Sequence, residues 1–166
     1  MKITVATQNQ LPIIKDLAYT IWPDAYGEIL SNEQLGYMLQ LIYNIDSLQQ
    51  QLENNHVFLL VEDENQFIGF ASYELNYENS NKTKIQKIYI LPTIQGKGIG
   101  RKVIDYIKDT AIKNKNLSLV LNVNRFNKAK DFYIKYGFHI VKEIKIDIGN
   151  DYIMDDYIME LPFILE

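Results

Sequence analysis

The sequence predicts an α+β fold, and three observations carry that reading. Short apolar or alternating runs recur at 2–6, 56–62, 67–77, 84–91 and 117–123. Stripes of apolar residues at helical spacing fall between them. A break at Ile148-Gly149-Asn150-Asp151 separates two more extended runs near the end of the chain, and its Gly and Asn suit a hairpin turn.

Taken in order, residues 2–6 alternate as a short strand. Residues 8–22 place Leu11, Ile14, Leu17, Ala18 and Ile21 on one helical face, and Pro23 is expected to end that helix. Ser31 followed by Gln34 reads as a capping box ahead of the stripe Leu35, Met38, Leu39 and Ile42. Asp46 starts a further short helix through Leu52. Strands at 56–62 and 67–77 flank the turn Glu62-Asp63-Glu64-Asn65-Gln66, and a third follows at 84–91. A helix starting near Gly98 turns Val103, Ile104, Ile107 and Ala111 inward. Leu117, Leu119, Leu121 and Val123 alternate on one face of the next strand. A helix from about Asn127 to Lys135 then leads into the hairpin of 138–147 and 152–161. No repeat, linker or low-complexity tract interrupts this order, so a single domain over 1–166 is expected.

Composition removes several classes of function. The chain has no cysteine, which excludes disulfides, thiolate metal sites and a cysteinyl acyl intermediate. With His56 and His139 as its two histidines, no metal site is expected. The net charge of −4 argues against a nucleic-acid surface and leans toward a cationic partner. The apolar runs fall far short of the ~18 residues of a membrane span, and residues 1–20 lack a signal peptide's apolar core, so a cytoplasmic protein with no membrane partner is expected.

Residues 88–104 are the most informative stretch, an apolar strand passing through a glycine-rich turn straight into a helix. Glycines let the main chain approach a ligand, and the orphan amides of a helix's first turn favour a phosphate. The spacing decides among phosphate binders. A dinucleotide-binding G-x-G-x-x-G needs glycine where Arg101 stands, and a P-loop needs a Lys-Ser or Lys-Thr pair that does not follow.

What remains, Gln95-Gly96-Lys97-Gly98-Ile99-Gly100, resembles the Q/R-x-x-G-x-G/A signature of the GNAT superfamily of acyl-CoA-dependent N-acyltransferases. A second landmark supports it. The stretch from Asn122 to Phe138 resembles N-x-x-A-x-x-F-Y-x-x-x-G-F, with Ala129, Phe132, Tyr133, Gly137 and Phe138 in place. Where the family asparagine usually falls the chain has Phe126, so Asn124 and Asn127 are both candidates for the cofactor contact. The order of elements follows the family over the whole length.

The resemblance implies a three-layer fold with a mixed, strongly twisted sheet, in which the strands at 84–91 and 117–123 lie parallel and splay apart. It implies acetyl-CoA as co-substrate, its pyrophosphate on Gln95, Gly96, Lys97, Gly98, Gly100 and Arg101 and its pantetheine arm along the backbone of Ile88 and Ile90. It also implies Tyr133 as the acid that protonates the departing thiolate. Close relatives often hold a glutamate where this chain has Gln86, a residue that cannot take a proton and is expected to orient water or substrate.

The chemistry itself requires a proton acceptor. An amine with the pKa of lysine, ~10.4, is protonated at pH 7, and freeing it costs roughly 4 to 5 kcal/mol. Glu74 is one candidate base, and Asp155 or Asp156 another, since strand neighbours point to opposite faces and at most one of the two meets the site. In the amino-terminal half, residues 25–52 diffusely resemble the acceptor-side helices of bacterial polyamine acetyltransferases. Tyr26, Glu28, Tyr37 and Tyr43, with Asp156, are the expected pocket for an alkylammonium. The expected reaction is direct acetyl transfer to a small cationic amine. A protein amino terminus, an amino sugar, or a non-catalytic acyl-CoA-binding module stand as alternatives, and a homodimer is compatible with each.

Overall fold

The computed structural model describes residues 1–164. Its centre is a seven-stranded sheet, β1 (Lys2–Val5), β2 (Val57–Asp63), β3 (Gln66–Glu74), β4 (Lys82–Ile90), β5 (Ser118–Asn124), β6 (His139–Asp147) and β7 (Ile153–Pro162). The strands lie in the order β1-β2-β3-β4-β5-β7-β6. Every neighbouring pair is antiparallel except β4 with β5. Helices α1 (Leu11–Tyr26), α2 (Asn32–Tyr43) and α3 (Ile45–Glu53) precede β2, α4 (Ile99–Lys113) joins β4 to β5, and α5 (Ala129–Tyr136) joins β5 to β6.

Two apolar clusters sandwich the sheet. Phe58, Leu60 and Phe70 face α1, α2 and α3, whereas Leu59, Val61 and Ala71 face α4. Strands buried on both faces read as continuous apolar runs, as residues 57–61 do. Val103, Ile104, Ile107 and Ala111 are fully buried against the sheet, as their spacing requires.

Four local expectations are corrected. Helix α1 runs through Pro23 to Tyr26. The proline forfeits one amide hydrogen bond, while Trp22 and Tyr26 on either side of it are buried and hold the last turn to the core. At α2 the Ser31 hydroxyl accepts from the Gln34 amide at 3.1 Å, which is one half of a capping box. Strand β3 stops at Glu74, because Asn76, Glu78 and Asn79 take positive φ angles in the turn that follows. Leu117 precedes β5 and is 49% exposed, so the inward row begins at Leu119.

Candidate active site

Strands β4 and β5 pair only from Lys82↔Ser118 to Ile85↔Leu121. Beyond that point β4 continues against β3 and β5 against β7, so the two parallel strands part. A cavity of about 730 Å³ fills the gap between them. The Leu91 amide donates to Ile68 of β3 at 2.8 Å. Backbone groups alternate sides along a strand, so those of Ile90 and Ile88 face the gap, and both residues line the cavity. The Ile90 carbonyl is taken by the Gln95 side-chain amide at 3.2 Å, which leaves its N–H for a ligand.

The turn closes one end of this cavity. Gln95, Gly96, Gly98 and Gly100 line it, while Lys97 and Arg101 are exposed just outside. Gly96 and Gly98 have φ angles of 87° and 75°, which only glycine adopts readily, and a Cβ on either would project into open space. Gly100 has a different role. A Cβ there would come within 3.2 Å of the Phe132 ring, so this glycine permits α4 to approach α5. Gly98 caps α4, whose first intrahelical bond is Lys102 N–H to the Gly98 carbonyl at 3.2 Å. The free amides of that turn, the positive helix end and the open space over Gly96 and Gly98 fit a pyrophosphate. Arg101 stacks over the Tyr136 ring at 5.1 Å, and swinging it toward a phosphate would break that contact.

Across the gap the two candidate asparagines separate. Asn127 lines the cavity and its carbonyl accepts from the Ala129 amide at 2.9 Å. Asn124 lies outside the lining and accepts from the Phe126 amide at 2.9 Å. Tyr133 lines the cavity and is 8% exposed. Burial pushes its phenol well above the ordinary value, so it carries its proton at neutral pH.

From α1 and the residues just after it, Tyr26 and Glu28 line the cavity, joined by Asp24, which sequence reasoning missed. The Tyr26 and Tyr89 hydroxyls share a 2.7 Å hydrogen bond. The structure removes two tyrosines from the expected pocket. Tyr43 is fully buried beneath the Lys87 ammonium, and Tyr37 donates to the Ile148 carbonyl on another surface. Asp156 is buried outside the cavity lining with one oxygen unpartnered, and burial raises its pKa. Asp155 pairs with Arg125 at 3.3 Å.

Ser72 pairs with Lys87 and Tyr73 with Ile85, which leaves Gln86 as the extra residue of a β-bulge. Gln86 lines the cavity and donates to Glu74 at 3.2 Å, so Glu74 stands behind it and outside the lining. Lys87, the other residue sequence reasoning missed, also lines the cavity. Strict alternation turns Lys87 away from Gln86, and the bulge is what cancels that alternation.

His56 lies 3.6 Å from Glu74, yet burial, then the charges of Lys87 and Lys84, hold its pKa at about 4 instead of 6.5. It is therefore neutral at pH 7 and makes no ion pair. The folded value lies below the unfolded one, so the unfolded chain binds more protons between them. Stability is full above pH 6.5 and falls as pH drops toward 4. Wild type is expected to lose more melting temperature between pH 7 and 5 than His56→Gln. Parallel melting curves across that range would show that His56 does not carry the effect.

A family model for the acetyltransferase (GNAT) domain matches residues 29–153. The chain belongs to the GNAT acetyltransferase family, and it is an N-acetyltransferase. An uncharacterized N-acetyltransferase of Lactobacillus delbrueckii subsp. lactis is 21% identical to this GNAT chain over 91% of each sequence. PaiA N-acetyltransferase from Thermoplasma acidophilum, solved in complex with coenzyme A, superposes with a TM-score of 0.80 at 23% identity, covering 98% of this chain and 100% of its own. Ribosomal-protein-alanine N-acetyltransferase from Brucella melitensis gives 0.71 at 24%, again over 98% and 100%. These likenesses establish the GNAT fold.

Proposed function

We propose that this N-acetyltransferase, acting as one domain, binds acetyl-CoA along β4 and the 95–101 turn and acetylates the primary amine of a small cationic acceptor of the polyamine kind by direct attack. The observation that carries the reading is a single cavity in which the parted strands, the Gly96 and Gly98 cradle and the Tyr133 hydroxyl-bearing ring all meet. The solved relative holding coenzyme A supports the choice of co-substrate. Bound there, acetyl-CoA supplies the acetyl group as an activated thioester.

The chain's own groups do the rest. Amides at Gly96, Gly98 and the first turn of α4 hold phosphate oxygens, and Asn127 lines the other wall. The Ile90 N–H is placed to donate to the acetyl carbonyl oxygen as charge grows there. Tyr133, protonated by virtue of its burial, is the acid for the sulfur. Gln86, fixed through its amide by Glu74, presents its carbonyl oxygen to the incoming nitrogen. Asp24 and Glu28 at the acceptor side suit the distal ammonium groups of a polyamine.

A panel of amines, scored by thiol release from acetyl-CoA, tests both levels. Spermidine or a related polyamine is expected to give a kcat/KM above those of neutral amino acids and amino sugars, declining as salt screens Asp24 and Glu28. Turnover of an amino sugar or a peptide amino terminus with polyamines inert would overturn the acceptor assignment. Coenzyme A binding without turnover of any amine would make the chain a binding module.

A further inference from the structure

The site holds a half-buried lysine where the mechanism lacks a base. We propose that Lys87, in its neutral form, is the proton acceptor for the incoming ammonium. The proposal rests on the acetyl-transfer reading above.

Three features of the geometry point to it. Lys87 follows the bulge residue Gln86 on β4 and, like Tyr133, Tyr26 and Ile90, lines the cavity, while its Nζ end lies against Gln51, Phe58 and Tyr43. Its Nζ donates to the Gln51 side-chain oxygen of α3, and no carboxylate pairs with it among the described residues. It lies 5.6 Å from the Phe58 ring and 5.9 Å from that of Tyr43, a setting that desolvates the ammonium with aromatic faces and one amide oxygen, but no carboxylate, to offset the loss. A lysine kept only as a structural cation is ordinarily given an acid.

The surrounding charges act in the same direction. Lys84 on β4 repels a proton on Lys87. His56 before β2 is neutral at pH 7, and the Tyr43 and Tyr89 phenols are kept protonated by burial. Glu74 on β3 is committed to Gln86 and sits beside His56. Asp24 and Glu28 line the cavity from α1 and the residues just after it. The net result, with burial the largest cause, is a pKa of about 8 for Lys87. At pH 7 roughly one tenth of the molecules then hold it neutral, against well under one in a thousand for an ordinary lysine.

The protons balance. The acceptor ammonium passes one proton to neutral Lys87 and becomes a free amine. Its lone pair forms the C–N bond, and the C–S bond breaks with its electrons on sulfur. Tyr133 gives the sulfur a proton and recovers one from the new amide nitrogen. Lys87 returns its proton to solvent through the cavity. Gln86, which cannot take a proton, is left with orientation alone.

The test compares wild type, Lys87→Met and Lys87→Arg on two amines turned over by wild type, a strongly basic one and a weakly basic one already neutral at pH 7. For the basic amine, wild-type kcat/KM is expected to show an ionisation near pH 8, and both variants are expected to lose it and fall on the order of 100-fold at neutral pH. For the weakly basic amine the variants are expected to stay within a few-fold of wild type, which a merely structural role would not produce. Equal losses on both amines, or an unchanged ionisation in Lys87→Arg, would overturn the proposal. NMR titration of the Lys87 side-chain nitrogen gives a check that needs no turnover, and an ordinary lysine value of ~10.4 would also overturn it. Wild type inactive on every amine would defeat the acetyl-transfer reading and Lys87's role together. An active wild type with unaltered variants would defeat only the latter.

Discussion

Gly98→Val is expected to abolish measurable coenzyme A binding while leaving a folded protein. Gly98 sits at φ 75°, where a β-branched residue is strained by about 1 to 2 kcal/mol or more, and its Cβ would project into the space over the turn. Relief of that strain is expected to turn the peptide and withdraw the amides proposed to meet the phosphates. Since nothing beyond its chain neighbours lies within 4 Å of the added Cβ, the core is untouched and the melting temperature should fall only modestly. Titration calorimetry with coenzyme A checks the first expectation and circular dichroism the second. A folded variant with wild-type affinity would remove the 95–101 turn from the cofactor site. Gly100 is not an equivalent probe, because a side chain there strikes Phe132 and disturbs the packing of α4 on α5.

Tyr133→Phe is expected to lower kcat by roughly 10- to 1000-fold with little change in cofactor affinity, the pattern of an interaction made in the transition state. The substitution keeps the ring that packs on Phe132 and Phe138 at 5.5 and 5.7 Å and removes only the hydroxyl. Stability should therefore change little. A leaving group less basic than a coenzyme A thiolate should recover part of the loss, since it needs less help from an acid. Unchanged turnover, with chemistry shown to be rate-limiting, would refute the assignment.

Both residues were legible in the sequence for the same reason. A glycine-rich turn between strand and helix, and an aromatic pair at fixed spacing before Gly137-Phe138, are local patterns in which chemistry and chain order coincide. The roles within those patterns were less legible. Gly98 and Gly100 look alike in sequence, but one is required by its own φ and the other by a ring 32 residues further along the chain.

The amino-terminal half shows the opposite case. Tyr26, Tyr37 and Tyr43 sit on neighbouring helices, and nothing in their spacing says which face meets the cavity. Only packing decides that Tyr26 reaches it, that Tyr37 turns to Ile148 and that Tyr43 supports Lys87 from below.

By itself, the sequence determined the alternation of strands and helices, the glycine-rich turn at 95–101, the aromatic pair Phe132-Tyr133 ahead of Gly137-Phe138, and the absence of cysteine chemistry, because each is written in the type and spacing of near neighbours. The tertiary structure alone decided where β4 and β5 part, that Asn127 and not Asn124 lines the gap, and that Glu74 stands behind Gln86. It also decided that Lys87 joins Gln86 in the cavity lining. A single extra residue in β4 shifts the register after Tyr73↔Ile85, and a one-residue shift reverses which side chains a strand presents. That reversal depends on the partner strand β3, so no pattern within residues 82–90 could disclose it.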